Sequence, residues 1–168
     1  MEIKGATLLY TLAGLMVTFA GFSTLLLTLR PAAGAKLSLL DKYLAKTVMT
    51  HIFVLIWAAL LPPIMALYDM PEPSIWRVSS LLFALPMLLL QLSYPHRRRK
   101  AIGGGPPLPI LAVFVILSAA VTMAMLGYIL GGFPYVAAVY VTSLTINFFT
   151  VVFGFAVALG MIMEQPME

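Results

Sequence analysis

The chain has 168 residues, 62% of them hydrophobic and only 10% charged, with a mean hydropathy of +1.04. Soluble domains are about 45–50% apolar and about a quarter charged, so neither a soluble globular domain nor a disordered chain fits this composition. Cysteine is absent, which excludes a disulfide framework, a thiolate metal site and a cysteine nucleophile; the net charge of +4 acts through where the cations fall.

A helix needs about 20 mainly apolar residues to cross the hydrocarbon core of a bilayer. Five stretches meet that length, at about 6–29, 47–68, 75–94, 109–130 and 135–163. Backbone groups in lipid must be satisfied internally, and no run shows the strict alternation of a barrel strand. The expected fold is therefore all-α, a single polytopic domain of five transmembrane helices. The first stretch is expected to stay as a span rather than be cleaved as a signal peptide. It is too long for that role, its flank Met1-Glu2-Ile3-Lys4 is not strongly basic, and no A-x-A site ends it.

The punctuation between spans is clear. Arg30-Pro31-Ala32-Ala33-Gly34-Ala35 reads as a linker, because proline disfavours helical continuation from Arg30. Ser38-Leu39-Leu40-Asp41 matches a capping box and predicts a protruding amphipathic helix start over 38–46. Continued to Tyr68, that helix would be about 45 Å long at 1.5 Å per residue, and Pro62-Pro63 is expected to kink it. Asp69 to Ser74 forms an acidic loop, with Ser74 the expected N-cap of the third span. Residues 95–108 form a basic loop, Pro95-His96-Arg97-Arg98-Arg99-Lys100 followed by a Gly-Gly-Gly-Pro-Pro segment. Gly131-Gly132-Phe133-Pro134 makes a tight turn before the last span.

Lysine and arginine in short loops mark the cytoplasmic side. Arg30, Lys36, Lys42 and Lys46 fall in the first connection, and Arg97 to Lys100 in the third. The second and fourth connections have none between the spans; Arg77 sits one turn inside the third helix, and Lys4 counts against the pattern. This distribution predicts the N-terminus outside and the C-terminus cytoplasmic.

No Asp or Glu lies mid-span, so neither a carboxylate-driven transporter nor an arginine-rich sensor is expected. His51 is the one titratable side chain inside a span. It is either a pH-responsive group or a histidine bonded at head-group level, and without a second His, Glu or Cys at ligand spacing no metal site is expected. His96 reads as a solvated loop residue. The first span carries Thr7, Thr11, Gly14, Thr18 and Gly21, with Thr28 beyond, on one helical face. The last carries Tyr140, Ser143, Asn147, Thr150 and Gly154, with Ala158 beyond, in the same pattern. Each stripe is a candidate helix-packing seam or pore lining. Asn147 is the most informative single residue, because its amide is costly to leave facing lipid.

Gln91 also needs a partner but stands close enough to the Arg run to reach the interface. Trp57 lies near mid-span and needs an acceptor, while Trp76, Tyr68 and Tyr94 fit interfacial belt positions. Phe148, Phe149, Phe153 and Phe155 fit lipid or packing contacts. Arg97, Arg98, Arg99 and Lys100 are expected to contact anionic lipid head groups; nothing folded accompanies them for nucleic-acid binding. No phosphate-binding, dinucleotide or hydrolase motif is present, so no enzyme and no cofactor are expected.

Ala20-Gly21-Phe22-Ser23 with Leu29-Arg30, and later Ile75-Trp76-Arg77, resemble an uncharacterised family of small multi-span bacterial inner-membrane proteins. The likeness covers roughly the first hundred residues and implies that membrane but no activity. The leading expectation is a non-enzymatic homo-oligomer whose striped helices face a shared axis, as an ion channel or pore. The alternative is an accessory or structural subunit of a larger membrane complex. An embedded enzyme or carrier using Asn147, Tyr140 and His51 ranks last, for want of an acid–base pair.

Overall fold

The computed structural model describes residue 3 and residues 5–32, 38–103 and 109–163. Among these, six helices and no strands occur: α1 (Ala6–Ala32), α2 (Leu39–Ala66), α3 (Glu72–Leu92), α4 (Tyr94–Ile102), α5 (Pro109–Leu130) and α6 (Val136–Met163). Five of them, all but α4, are long and apolar enough to cross a membrane. The protein is a membrane-embedded helical bundle.

The helix ends follow from local chemistry. At the start of α2 the backbone N–H of Asp41 donates to Ser38 Oγ at 3.1 Å, and the Ser38 N–H donates to the Asp41 carboxylate at 2.9 Å. That reciprocal pair is the expected capping box. Pro31 does not end α1, which runs on to Ala32; a proline in the last turn forfeits one backbone bond. The rest of that linker, 33–37, lies outside the described residues, as do 104–108. α2 continues unbroken through Pro62 and Pro63. α3 begins at Glu72, so Ser74 sits inside the first turn rather than capping it. Pro73 is tolerated there because the first N–H groups of a helix have no intrahelical acceptor.

The basic run departs from its expected loop. Pro95 supplies no N–H to the Gln91 carbonyl, so the chain breaks at Ser93 and restarts as α4. Gly103, at φ +74°, closes α4 in the left-handed conformation that suits glycine. Between α5 and α6 a Cβ on Gly131 would come within 2.7 Å of the Phe133 ring, and Gly132 has φ +74°. Tyr128 ties this turn by donating its hydroxyl to the Pro134 carbonyl at 2.7 Å.

α2, α3, α5 and α6 pack in a ring in which each touches the next. Among the described residues α3 and α6 also touch across the middle, whereas α2 and α5 do not. α1 lies outside the ring against α2, with a lighter edge on α6, where Phe19 packs edge-on to Phe148 and Phe155. The core between the ring helices is fully buried at Leu55, Ala58, Phe83, Met87, Met125 and Leu144. Phe149 and Phe153 face outward.

Replacing Ser38 by Ala removes the α2 cap and is expected to cost about 1 kcal/mol. Equilibrium unfolding in mixed micelles measures this, and an unchanged midpoint contradicts the assigned cap.

Candidate functional site

Pro62 has no N–H, so the Ala58 carbonyl four residues earlier has no intrahelical donor. In a bilayer no water is at hand to replace it. The donor comes from α6: the hydroxyl of the fully buried Tyr140 donates to Ala58 O at 2.7 Å. The Tyr140 ring packs between Trp76 (centroids 5.5 Å apart) and Phe83 (6.0 Å). Trp76 is itself fully buried, its indole N–H donating to Glu72 at 3.3 Å. The ring packs into the core against Tyr140, with its polar end satisfied one turn back on its own helix, at the first residue of α3.

Further along the same face, Asn147 is fully buried inside the ring. Its amide N–H₂ donates to the Ser143 carbonyl at 2.9 Å and to Thr122 Oγ1 at 3.3 Å. Ser118 donates its hydroxyl to the Asn147 side-chain oxygen and accepts from the Gln91 amide. Thr122 donates back to the Ser118 carbonyl at 2.8 Å. One polar network thus joins α3, α5 and α6. Ser143 and Thr150 are buried on the same edge, and Gly154 faces Phe114, whose ring carbon lies 3.8 Å from the position of an added Cβ. The α6 stripe is turned into its own bundle and does not face outward. Gln91 likewise does not reach toward the interface; it is 3% exposed and held by Ser118.

Ser118 and Thr122 carried no weight in the sequence. Their signal is two hydroxyls spaced i, i+4 in an otherwise apolar span, the spacing that places both on one helical face.

Beside this network, toward the basic end, lies a cavity of about 80 Å³ walled by α2, the α3–α4 junction, α5 and α6. His51, Thr47, Gln91, Tyr94, Ser118 and Thr150 reach its wall among Leu44, Val48, Phe114 and Val115. His51 is buried, and its Nδ1 lies 2.7 Å from the Thr47 carbonyl. A carbonyl only accepts, so Nδ1 carries the proton and Nε2 is the acceptor in the neutral ring. Tyr94 is buried as well, because α4 folds back over this end of the bundle onto α2. The side-chain oxygen of Gln91 and the hydroxyl of Tyr94 have no hydrogen-bond partner in the protein.

The α1 stripe has the opposite fate. Thr7, Thr11, Gly14, Thr18 and Gly21 are all exposed on the outer side of α1. A Cβ on Gly14 or Gly21 would meet nothing within 4 Å. Thr11 and Thr18 satisfy their hydroxyls on the carbonyls of Thr7 and Gly14, each at 2.9 Å. Trp57 also faces outward. In α4, Arg97 folds back onto the Leu90 carbonyl (2.5 Å) and Ser93 Oγ (3.0 Å). Arg98 is buried, while His96, Arg99 and Lys100 are exposed. Among the described residues no three His, Asp or Glu side chains stand together as metal ligands.

No family model, curated protein or solved structure matches the chain.

The Tyr140 bond makes a double-substitution test. Tyr140→Phe is expected to cost about 1 kcal/mol of bundle stability. In a Pro62→Ala background the restored backbone N–H serves Ala58, and the cost should fall to less than half. Equal costs in the two backgrounds, measured by unfolding in micelles, contradict the assignment.

Proposed function

We propose that this is a non-enzymatic integral membrane protein that associates with copies of itself through the outward face of α1. The observation that carries the proposal is the fate of the α1 stripe. Small residues on one helical face allow close approach of a second backbone, and among the described residues none covers this face at Gly14 or Gly21, where a Cβ would meet nothing within 4 Å. The hydroxyls of Thr11 and Thr18 on the same face donate to their own helix and keep lone pairs for a facing neighbour. The polar edge of α6 is spent inside the protomer on α2, α3 and α5. A shared axis, and any pore along it, would therefore be lined by α1.

The setting we propose is the bacterial inner membrane, with the N-terminus outside and the C-terminus cytoplasmic. The likeness of the Ala20–Ser23 and Ile75–Arg77 segments supports the membrane, and the placement of Lys and Arg supports the orientation. Arg99 and Lys100, exposed at the end of α4, are the cations offered to anionic head groups.

The mass of the protein in nanodiscs, corrected for lipid, tests the association. The expected result is a multiple of the 18.3 kDa protomer, reduced to one protomer by Gly14→Leu or Thr18→Leu. A monomeric unmodified protein contradicts self-association and assigns the face to a different chain, as in an accessory subunit.

A further inference from the structure

The cavity at the basic end of the bundle stands apart from the α1 face, and its walls are almost wholly apolar. Leu44 and Val48 on α2, Phe114 and Val115 on α5 and Val151 on α6 make most of them. Of the polar side chains around it, all but one are spent. The Gln91 oxygen and the Tyr94 hydroxyl are sealed within the packing and do not face the space. Ser118 donates to Asn147, Thr150 donates to the Ile146 carbonyl, and the Thr47 hydroxyl pairs with Tyr43. His51 is the exception. It is 8% exposed, and its Nδ1 is committed to the Thr47 carbonyl at 2.7 Å. Nε2, the acceptor of the neutral ring, has no hydrogen-bond partner among the described residues and is not closed off by packing.

These walls define a ligand class by exclusion. Among the described residues no Asp, Glu, Lys or Arg lines the cavity, so an ion of either sign would be buried without a counter-charge, at high cost. A water would find one free acceptor, where a buried water normally has about three partners. A wholly apolar molecule would fill the space and leave Nε2 unsatisfied. A neutral molecule with an apolar body and one donor suits every wall. The cavity, of about 80 Å³, holds about three water-sized groups, which is a hydroxyl with the first carbons of its chain. It is open to the protein surface. Its half-buried lining residues on α5 and α6 are Phe114, Val115, Val151 and Gly154, none with a polar side-chain atom, so the rest of a chain can leave along them.

We infer that this cavity binds a neutral aliphatic alcohol dissolved in the bilayer, its hydroxyl donating to His51 Nε2 and its chain lying along α5 and α6. His51 is then a recognition residue and neither an acid nor a base. One hydrogen bond inside an apolar pocket sets the specificity.

The test follows the two histidines of the intact protein by nitrogen NMR in micelles, with His96, exposed on α4, as internal reference. The probes are 1-hexanol, its isomer methyl pentyl ether, which cannot donate, and hexanoate, compared at equal concentration within the micelle. 1-Hexanol is expected to move the His51 Nε2 resonance saturably and to leave His96 in place. Its half-saturation should fall at about a tenth of the ether's concentration, the discrimination of one buried hydrogen bond. Val115→Phe and Val151→Phe fill the cavity from α5 and from α6, leave His51 itself unaltered, and are each expected to abolish the response. An ether as effective as the alcohol overturns the hydrogen bond to Nε2. Hexanoate as effective as the alcohol overturns the neutral class. Both histidines moving together overturns the site, because the alcohol then acts through the micelle. An undiminished response in both variants overturns the placement in the cavity. Should either variant fail to fold, the other variant and the comparison of isomers on the unmodified protein decide.

Discussion

A proline in a membrane helix strands a carbonyl, and here the stranded carbonyl of Ala58 is met by the hydroxyl of Tyr140. Because Tyr140, Ser143, Asn147, Thr150 and Gly154 share one face of α6, fixing the rotation of α6 at Tyr140 turns the whole face toward the other helices of the ring. Asn147 then finds Ser118 and Thr122 on α5, and through Ser118 the amide of Gln91 on α3. The ring of four helices joins polar groups that lipid would penalise to the packing of buried Leu, Phe and Met side chains. The cavity at the basic end lies against this network, sharing Gln91 and Ser118 with it.

The two polar stripes have the same four-and-three spacing and opposite fates, and side-chain chemistry explains the difference. A threonine in a helix can return its hydroxyl to the carbonyl one turn back, as Thr11 and Thr18 do. Such a face can lie against lipid or another copy without an orphaned donor. An asparagine amide has two donors and an oxygen, and only one donor is met within its own helix. Asn147 therefore demands other helices, and α6 is pulled inside while α1 is free to remain outside.

Much of the architecture was legible in the residues. The five spans, the Ser38–Asp41 cap and the Gly131–Gly132 turn follow from hydropathy length, capping chemistry and glycine conformation, each a local property. What was not legible depends on partners far apart in the chain. Trp76 and Tyr94 have the composition of belt residues, and only the approach of Tyr140 to one and of Tyr43 on α2 to the other makes them core. The basic run has the composition of a loop, but Pro95 breaks the preceding helix early enough for a further helix to start. The unpartnered oxygen of Gln91 and hydroxyl of Tyr94 could not be read at all, because an absent bond is visible only when every neighbour is placed.

The central claim is the division of labour between these faces: α6 buries its polar stripe within one chain, and α1 offers its stripe to another. The absence of native cysteine makes single-cysteine cross-linking in the bilayer its most direct measurement. Under mild oxidation, Gly14→Cys and Thr18→Cys should give covalent dimers in high yield, whereas Ser143→Cys and Asn147→Cys should remain monomeric. Efficient dimers through position 143 or 147, with none through 14 or 18, would place α6 at the contact between copies and contradict the account.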